Sequence, residues 1–491
     1  MTNPPYDVII GLEVHVQLRT NTKLFCRCST EFGNPPNTQT CPVCLGLPGA
    51  LPVMNRKAYE LSVKTALALN CNIPNFTKWD RKQYYYPDLP KGYQISQFDL
   101  PMSENGHLAI SSPDGEFEDK NVGIIRAHLE EDAGKSMHDE AQGLADTRID
   151  LNRTGTPLLE IVSEPDMRSA EEARAYLQEL RLLLTYLDVS DCNMQEGSLR
   201  VDANVNLHVH TETDEKIATP IVEVKNMNSF RAVERALHYE VKRQYEIWQE
   251  TGNRIGDVPK QTRGWDDNAQ LTRAQREKEE SSDYRYFPDP DLVPVTITNE
   301  QVEAFQQQIP ELPAALREKL VDEFSLTPYT ADVIVNQGPE VVAYFQSLAE
   351  HTGDAKQSGN WVQGEVLRVL KEEDWELREF PISAEGLADL LKAIQQGELN
   401  NSRGKEVFSE MLSAGTSAAD AMAALGIEKV DDSALEDLCR EIVMANPKVI
   451  SDVQSGNEKA VGALIGQAKQ KNPNVNPGQV RQICLDIINA L

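Results

Sequence analysis

The sequence predicts an α+β protein: a β-rich antiparallel domain first, an all-α helical domain after it, and a small helical tail at the end. Three observations carry this. Up to about residue 290 apolar residues mostly recur at every second position, the period of a half-buried strand. Beyond Pro294 they recur at helical spacing between helix start and stop residues. A break at Asn400-Asn401-Ser402-Arg403-Gly404 and a shift in charge set off the last stretch. At 491 residues the chain is too long for one core, so two or three domains are expected: 1–294, 295–402 and 403–491.

The elements follow in order. Val8, Ile10, Leu12, Val14, Val16 and Leu18 alternate with Glu13, His15 and Gln17, which predicts a strand with one wet face. Asn105-Gly106 and Asp114-Gly115 are hairpin-turn signals. Residues 122–130 place Arg126, His128 and Glu130 opposite Ile125, Ala127 and Leu129, and Glu131-Asp132 extend the acidic cluster. Residues 147–152 place Arg148, Asp150 and Asn152 opposite Ile149 and Leu151. Ser169 to Glu172 is a capping box, followed by Ala173, Tyr176, Leu177, Leu180 and Leu184 at helical spacing. Leu199, Val201, Ala203, Val205, Leu207 and Val209 alternate with Ser198, Arg200, Asp202, Asn204, Asn206, His208 and His210. Glu223 and Lys225 share the polar face of the next strand. A helix runs from about Ser229 to Glu250, with Val233, Leu237, Val241 and Trp248 on one stripe and Gly252 as its stop. Past Pro294, segments near 313–324, 328–337, 383–396, 405–413, 417–425, 433–445, 457–470 and 477–490 read as helices. Thr327-Pro328, Ser433 to Glu436 and Asn476-Pro477 start them; Gly338, Gly397 and Gly426 stop them.

Composition narrows the function. With 40% hydrophobic and 25% charged residues the chain is an ordinary globular one, not disordered, collagen-like or a disulfide mini-scaffold. Lys plus Arg number 48 against 77 Asp plus Glu, a net charge of −29, so bulk attraction cannot draw it to nucleic acid. Any RNA must be held by local patches or metal ions. From residue 401 onward nine basic residues face twelve acidic ones, so the tail carries −3 and the first 400 residues the remaining −26 of the −29. No run of about eighteen apolar residues and no signal-peptide pattern occur, so a cytoplasmic location is expected.

Three constellations carry chemistry. Cys26-Arg-Cys28 and Cys41-Pro-Val-Cys44 offer four thiolates in two close pairs, a closed set that suits a structural Zn²⁺. The polar strand faces gather Glu13, His15, Glu130, Glu131, Glu160 and Glu223, hard ligands for Mg²⁺, with Arg and Lys nearby for phosphate. Glu160 sits within Leu158-Leu159 and Ile161-Val162, where a lone carboxylate is costly unless paired with a base such as Arg153 or bound to metal. In Trp79 to Gln97, Arg81, Lys82 and Lys91 interleave with tyrosines, an arrangement that can stack a base and hold phosphates. No P-loop, no Gly-x-Gly-x-x-Gly and no amidase-like segment is present, so a nucleotide site here is of another kind.

The motifs Ile10-Gly-Leu-Glu-Val-His15, Tyr93-Gln-Ile-Ser-Gln97, Glu130-Glu-Asp-Ala-Gly-Lys-Ser136, Glu196-Gly-Ser-Leu-Arg-Val-Asp-Ala-Asn204 and Asp283-Tyr-Arg-Tyr-Phe-Pro288 are long and collinear. With Asp80-Arg-Lys, Tyr86-Pro-Asp and above all Ile149 to Pro165, they resemble the B subunit family of glutamine-dependent aspartyl/glutamyl-tRNA amidotransferases. The resemblance implies a cradle-like catalytic domain, a helical domain and a tail that contacts tRNA. It implies phosphorylation by ATP of the side-chain carboxylate of Glu on tRNA(Gln) or Asp on tRNA(Asn), then amidation by ammonia from a glutaminase A subunit, with a small C subunit completing a heterotrimer. Members of the family differ in whether they keep the four cysteines. By resemblance, metal roles go to His15, Glu130 and Glu160, with Glu13, Glu131 and Glu223 as second-site candidates. The catalytic set is Glu160, Arg153, Glu196, Arg200 and Lys225, and the nucleotide set is Lys82, Glu196, Ser198 and Arg200. Two other classes compete: a non-catalytic, zinc-stabilised tRNA-binding scaffold, and an amide ligase acting on a free small acid. A scaffold needs no buried carboxylate cluster, and a small-acid ligase has little use for the helical region and tail.

Overall fold

The computed structural model describes residues 5–113, 115–138, 147–211, 215–275, 284–427, 432–472 and 474–491. Asp114 of one expected turn and Asp283 of one motif lie outside them. The chain divides into two compact units, Met1–Pro313 and Ala314–Leu491.

Strands in the first unit are β1 (Tyr6–Gln17), β2 (Phe76–Thr77), β3 (Asp80–Gln83), β4 (Tyr93–Ser96), β5 (Glu104–Ile110), β6 (Lys120–Glu131), β7 (Lys135–His138) and β8 (Thr147–Asp150). They continue with β9 (Pro157–Ser163), β10 (Leu199–His210), β11 (Lys216–Ala218), β12 (Val222–Lys225), β13 (Gln261–Asp266), β14 (Leu271–Ala274), β15 (Phe287–Pro288) and β16 (Val295–Thr296). Helices α1 (Arg56–Ala68), α2 (Ala170–Tyr186) and α3 (Phe230–Thr251) interrupt them. The main sheet has the order β14-β13-β12-β10-β1-β9-β6-β5, with β11 on β10. Its pairs are antiparallel except β12–β13.

The period-2 strands make this sheet two-faced, because successive side chains point to opposite sides. Ile10, Leu12, Val14 and Val16 of β1 join Leu199, Val201, Ala203 and Val205 of β10 in one core with Leu177 and Leu180 of α2 and Val233 and Leu237 of α3. The other face is left to Glu, His, Asp and Arg. Helix α2 starts at Ser169, whose hydroxyl accepts from Glu172 N. The capping box is half formed, since the Glu172 carboxylate takes Arg168 N and Lys120 Nζ instead. Ser229 and Gly252 cap α3 as expected.

Three expectations need correction. Asn105-Gly106 is not a hairpin turn but part of β5. A Cβ at Gly106 would lie 2.5 Å from the Leu69 carbonyl oxygen, so this glycine serves the close passage of another chain segment. Ile125 is exposed, because the register with β9 shifts between Ile124 and Arg126 and the bulge turns it outward. Strand β8 pairs with β7 in a separate two-stranded sheet, so Arg148, Asp150 and Asn152 do not join the main polar face.

Continuity of the first unit past 294 comes from β16 pairing with β2 and from α4 (Asn299–Gln306). Helices of the second unit are α5 (Pro313–Asp322), α6 (Pro328–Val335), α7 (Pro339–Thr352), α8 (Ala355–Trp361), α9 (Leu367–Glu373), α10 (Ala384–Gln395), α11 (Asn401–Ala414) and α12 (Ala418–Ala424). The last are α13 (Asp432–Met444), α14 (Pro447–Gln454), α15 (Gly462–Lys471) and α16 (Pro477–Asn489). Sequence periodicity misses α1, α4, α7 to α9 and α14. Pro339 is hidden behind Gly338, which reads as a stop, yet α6 is capped by Asn336 and Gly338, at φ 103°, is the N-cap of α7. The expected joint at 400–404 is the first turn of α11: Asn400 caps it, and Gly404 packs so closely that a Cβ would lie 2.5 Å from Ile394 Cδ1. Phe408 of α11 meets Trp361 at a 5.8 Å ring separation. A separate core, from Leu435 to Ile488, forms from α13 to α16 alone.

Candidate active site

Register builds the site. His15 of β1 lies opposite Glu160 of β9 on one side and Arg200 of β10 on the other, and Glu160 lies opposite His128 of β6. One row of the polar face therefore reads His128, Glu160, His15, Arg200 across four strands. Directly opposed residues sit about 5 Å apart, close enough for their side chains to meet. Glu160 Oε2 is 3.6 Å from His15 Nε2 and 3.4 Å from His128 Nε2. Glu130, two residues along β6 from His128, brings Oε1 to 3.9 Å from His15 Nε2 and Oε2 to 3.3 Å from Ser96 Oγ. His15, Glu130 and Glu160 thus present three ligand atoms within 4.8 Å of one another.

Burial and mutual charge set these groups apart. Burial, then the charge of Glu160, pushes the Glu130 carboxyl up to about 7. Burial also opposes the Glu160 charge, but His128, His15 and Lys82 hold its carboxyl well below the usual range. Burial brings His128 down to about 4, so its ring is neutral at pH 7, and its Nδ1 is buried with no hydrogen-bond partner among the described residues. For His15 burial is outweighed by Glu160 and Glu130, which raise it. Two adjacent buried carboxylates with imidazoles beside them form a donor set that a divalent cation satisfies.

His128 is on the expected polar face, but the sequence does not single it out as a ligand; the missing signal is register. Asp132 is the other group that sequence reading leaves unassigned. Its Oδ1 accepts from Arg200 Nη2 at 2.8 Å, its Oδ2 from Gln17 Nε2 at 2.8 Å, and Arg153 Nε lies 3.5 Å from Oδ2. Arg153 is therefore the partner of Asp132 and not of Glu160, and it also donates to the carbonyls of Ala133 and Gly134 at 2.8 and 2.7 Å.

A second cluster joins Glu13, Asp202 and Glu223 within 4.8 Å. Lys225 Nζ reaches Asp202 Oδ2 at 2.5 Å and Glu223 Oε1 at 3.4 Å, and Asn204 donates to Glu13 Oε1 at 2.9 Å. Glu131, expected as a second-site ligand, does not belong to it. It is the next residue after Glu130, so it points to the opposite face, where Lys91 Nζ binds both its oxygens.

His15, Lys82, Tyr84, Glu130, Arg200 and Lys225 line one cleft of about 400 Å³. Of the basic residues in the aromatic loop, only Lys82 faces the carboxylates: Glu130 and Glu160 raise its pKa against the effect of burial. Its Nζ also lies 5.0 Å from the Tyr284 ring centroid. Arg81 is engaged by Asp289 at 2.7 Å and Asp291 at 2.9 Å, and Lys91 by Glu131. Glu196 and Ser198 line a different cavity, of about 520 Å³, with Arg19 and Asp191. The Ser198 hydroxyl bonds Asp191 and accepts from Asn193 N at 2.8 Å, which folds the loop before β10.

The four cysteines also converge, all sulfurs lying within 4.8 Å of one another. Cys41 and Cys44 Sγ are 3.9 Å apart, close to the ~3.8 Å edge of a tetrahedron with ~2.3 Å metal–sulfur bonds. Cys44 Sγ accepts from Cys41 N at 3.1 Å, and its thiol is lowered to about 4, chiefly by the hydrogen bond from Cys26.

Comparison with known proteins places the chain in a family. Residues 8–303 match the family described as GatB/GatE catalytic domain, and residues 343–488 match the GatB domain. The chain is 63% identical over 484 residues to the B subunit of the aspartyl/glutamyl-tRNA(Asn/Gln) amidotransferase of Rhodopirellula baltica, covering 99% of this chain and 97% of that one. It is 46% identical over 489 residues to the corresponding B subunit of Carboxydothermus hydrogenoformans, covering 99% of each. The likeness runs through both compact units and through every strand that builds the cleft, and so the chain belongs to the B subunit family of aspartyl/glutamyl-tRNA(Asn/Gln) amidotransferases.

Proposed function

We propose that the cleft phosphorylates the side-chain carboxylate of Glu on tRNA(Gln), Asp on tRNA(Asn), or both, and then converts it to the amide. The row His128, Glu160, His15, Arg200, with Glu130 beside it, carries this reading, because a tRNA-binding scaffold has no use for two buried carboxylates. A substrate carboxylate oxygen bonds to the γ-phosphorus of ATP as the bond to the bridging oxygen breaks and ADP leaves. Ammonia then attacks the acyl carbon, phosphate leaves with the C–O bond electrons, and the nitrogen loses a proton. His15, Glu130 and Glu160 would hold Mg²⁺, which when bound neutralises phosphate charge. Glu13, Asp202 and Glu223 offer a second place for a cation. Lys82 and Arg200 face the cleft for phosphate oxygens, and Arg200 Nε is buried without a partner among the described residues. Asp132 holds Arg200 and Arg153 in place, where fixed positive charge can meet the charge that shifts onto the leaving oxygen during transfer.

The four thiolates fit a structural Zn²⁺. Ammonia would come from a glutaminase A subunit, with a small C subunit completing a cytoplasmic heterotrimer. None of the described helices is long and apolar enough to cross a membrane. The test is amidation by the assembled enzyme, given ATP, Mg²⁺ and glutamine, on both mischarged tRNAs. Product on neither would reject the reading.

We also propose that the tail is the tRNA-contacting module. Its own core, from Leu435 to Ile488, allows a cut after residue 427 that keeps the Trp361–Phe408 contact. The shortened enzyme is expected to fold and to cleave ATP at the normal rate. Its KM for tRNA should rise about tenfold, equivalent to about 1.4 kcal/mol. Unchanged tRNA affinity would reject the assignment.

A further inference from the structure

Lys23 is a charged side chain with no exposure, next to the cysteine cluster. Its Nζ lies 3.7 Å from Cys44 Sγ, 2.7 Å from the Gln39 carbonyl oxygen and 3.4 Å from the Leu151 carbonyl oxygen. A buried ammonium is costly without negative charge nearby, and thiolates around one divalent ion supply it. The Leu151 contact ties the cluster to a distant part of the chain.

That tie is reinforced between the two cysteine pairs. Asn37 N donates to Asp150 Oδ1 at 3.1 Å, Asn37 Nδ2 donates to the Ile149 carbonyl at 2.9 Å, and Asn37 Oδ1 accepts from Leu151 N at 2.9 Å. Gln39 N donates to Asn152 Oδ1 at 2.9 Å, and Asn152 Nδ2 donates to the Pro35 carbonyl at 2.7 Å. This is where Asp150 and Asn152, misplaced on the polar face by sequence reading, find their use. The next residue is Arg153, held to Asp132, which in turn holds Arg200 in the cleft.

We propose that this latch makes the four-thiolate site a positioning element for the cleft: Lys23 and Asn37 transmit the geometry of the occupied metal site, through residues 149–152, to Arg153. Lys23 lowers the net negative charge at the sulfurs and fixes Cys44. Asn37 is exposed and holds φ 61°, so Asn37→Gly keeps the backbone conformation while removing the side-chain bonds. The coupling rests on the phosphoryl-transfer reading of the cleft; the role of Lys23 at the metal does not.

The test uses the assembled enzyme loaded with zinc. Release of zinc to a chromogenic chelator is expected to be at least ~10-fold faster in Lys23→Met, with partial recovery in Lys23→Arg, and normal in Asn37→Gly. Asn37→Gly should lower kcat for tRNA-dependent ATP cleavage about 10-fold with KM for tRNA unchanged, and should cause no further loss in an Arg153→Ala background. Normal zinc release from Lys23→Met would overturn its part. If that variant does not fold, Asn37→Gly decides alone: losses additive with a damaged Arg153→Ala enzyme would overturn the coupling. An undamaged Arg153→Ala enzyme would sink both the coupling and the cleft reading.

Discussion

Glu160→Gln is expected to fold and to bind tRNA, yet to lose ATP cleavage and amidation by at least ~100-fold, the scale of one removed electrostatic stabiliser. Glu160 sits on the central part of the sheet between Leu159 and Ile161, both fully buried. No Lys or Arg lies within ion-pair distance of its carboxylate among the described residues; its nearest partners are His15 and His128. The amide of Gln preserves the shape and can bond either imidazole, so the sheet has little reason to rearrange. What is lost is the charge that, with Glu130, would attract a divalent cation. Had Arg153 been its partner, the same change would have left a buried guanidinium stranded and acted through stability; Arg153 is instead committed to Asp132. ATP turnover and thermal melting measured on the same preparation separate the two. Near-normal turnover in folded enzyme, with Mg²⁺, ammonia and mischarged tRNA supplied, would end the metal-site proposal.

A double change of Cys41→Ser and Cys44→Ser is expected to remove the single zinc that elemental analysis should find per chain. Serine oxygens are neutral at pH 7 and bind zinc far more weakly than thiolate. The segment from Cys26 to Leu51 contains no helix or strand. It is held by turn hydrogen bonds such as Leu45 N to the Cys41 carbonyl and Leu47 N to the Pro42 carbonyl, and by its bonds to residues 149–152, so a metal bound at the four thiolates would add directly to its folding free energy. Protease cleavage confined to residues 26–51, in a chain whose sheet still melts cooperatively, is the expected signature. Full zinc content and unchanged stability in the double variant would refute the site.

Much of this was legible in the residues. Strict alternation in 8–18 and 198–210 identified β1 and β10 and their wet faces, because a strand has no other way to separate Val from Glu. Ser229 and Gly252 bounded α3 because local groups satisfy its orphan backbone ends. Spacing alone paired the cysteines. Local signals failed where a distant segment intervened: Gly106 answers to Leu69, Ile125 to a bulge against β9, and Gly404 to Ile394.

By itself the sequence determined which residue types share a face, which thiols cluster, and that the body, not the tail, carries the acidity. Only the tertiary structure decided who meets whom. His15, His128, Glu160 and Arg200 become neighbours through the register of four strands, while Glu131 is turned away to Lys91, Ser198 is drawn into its own loop, and Arg153 is given to Asp132. The physical reason is that alternation is a property of a single strand, whereas register depends on pairings and loop lengths between segments far apart in the chain.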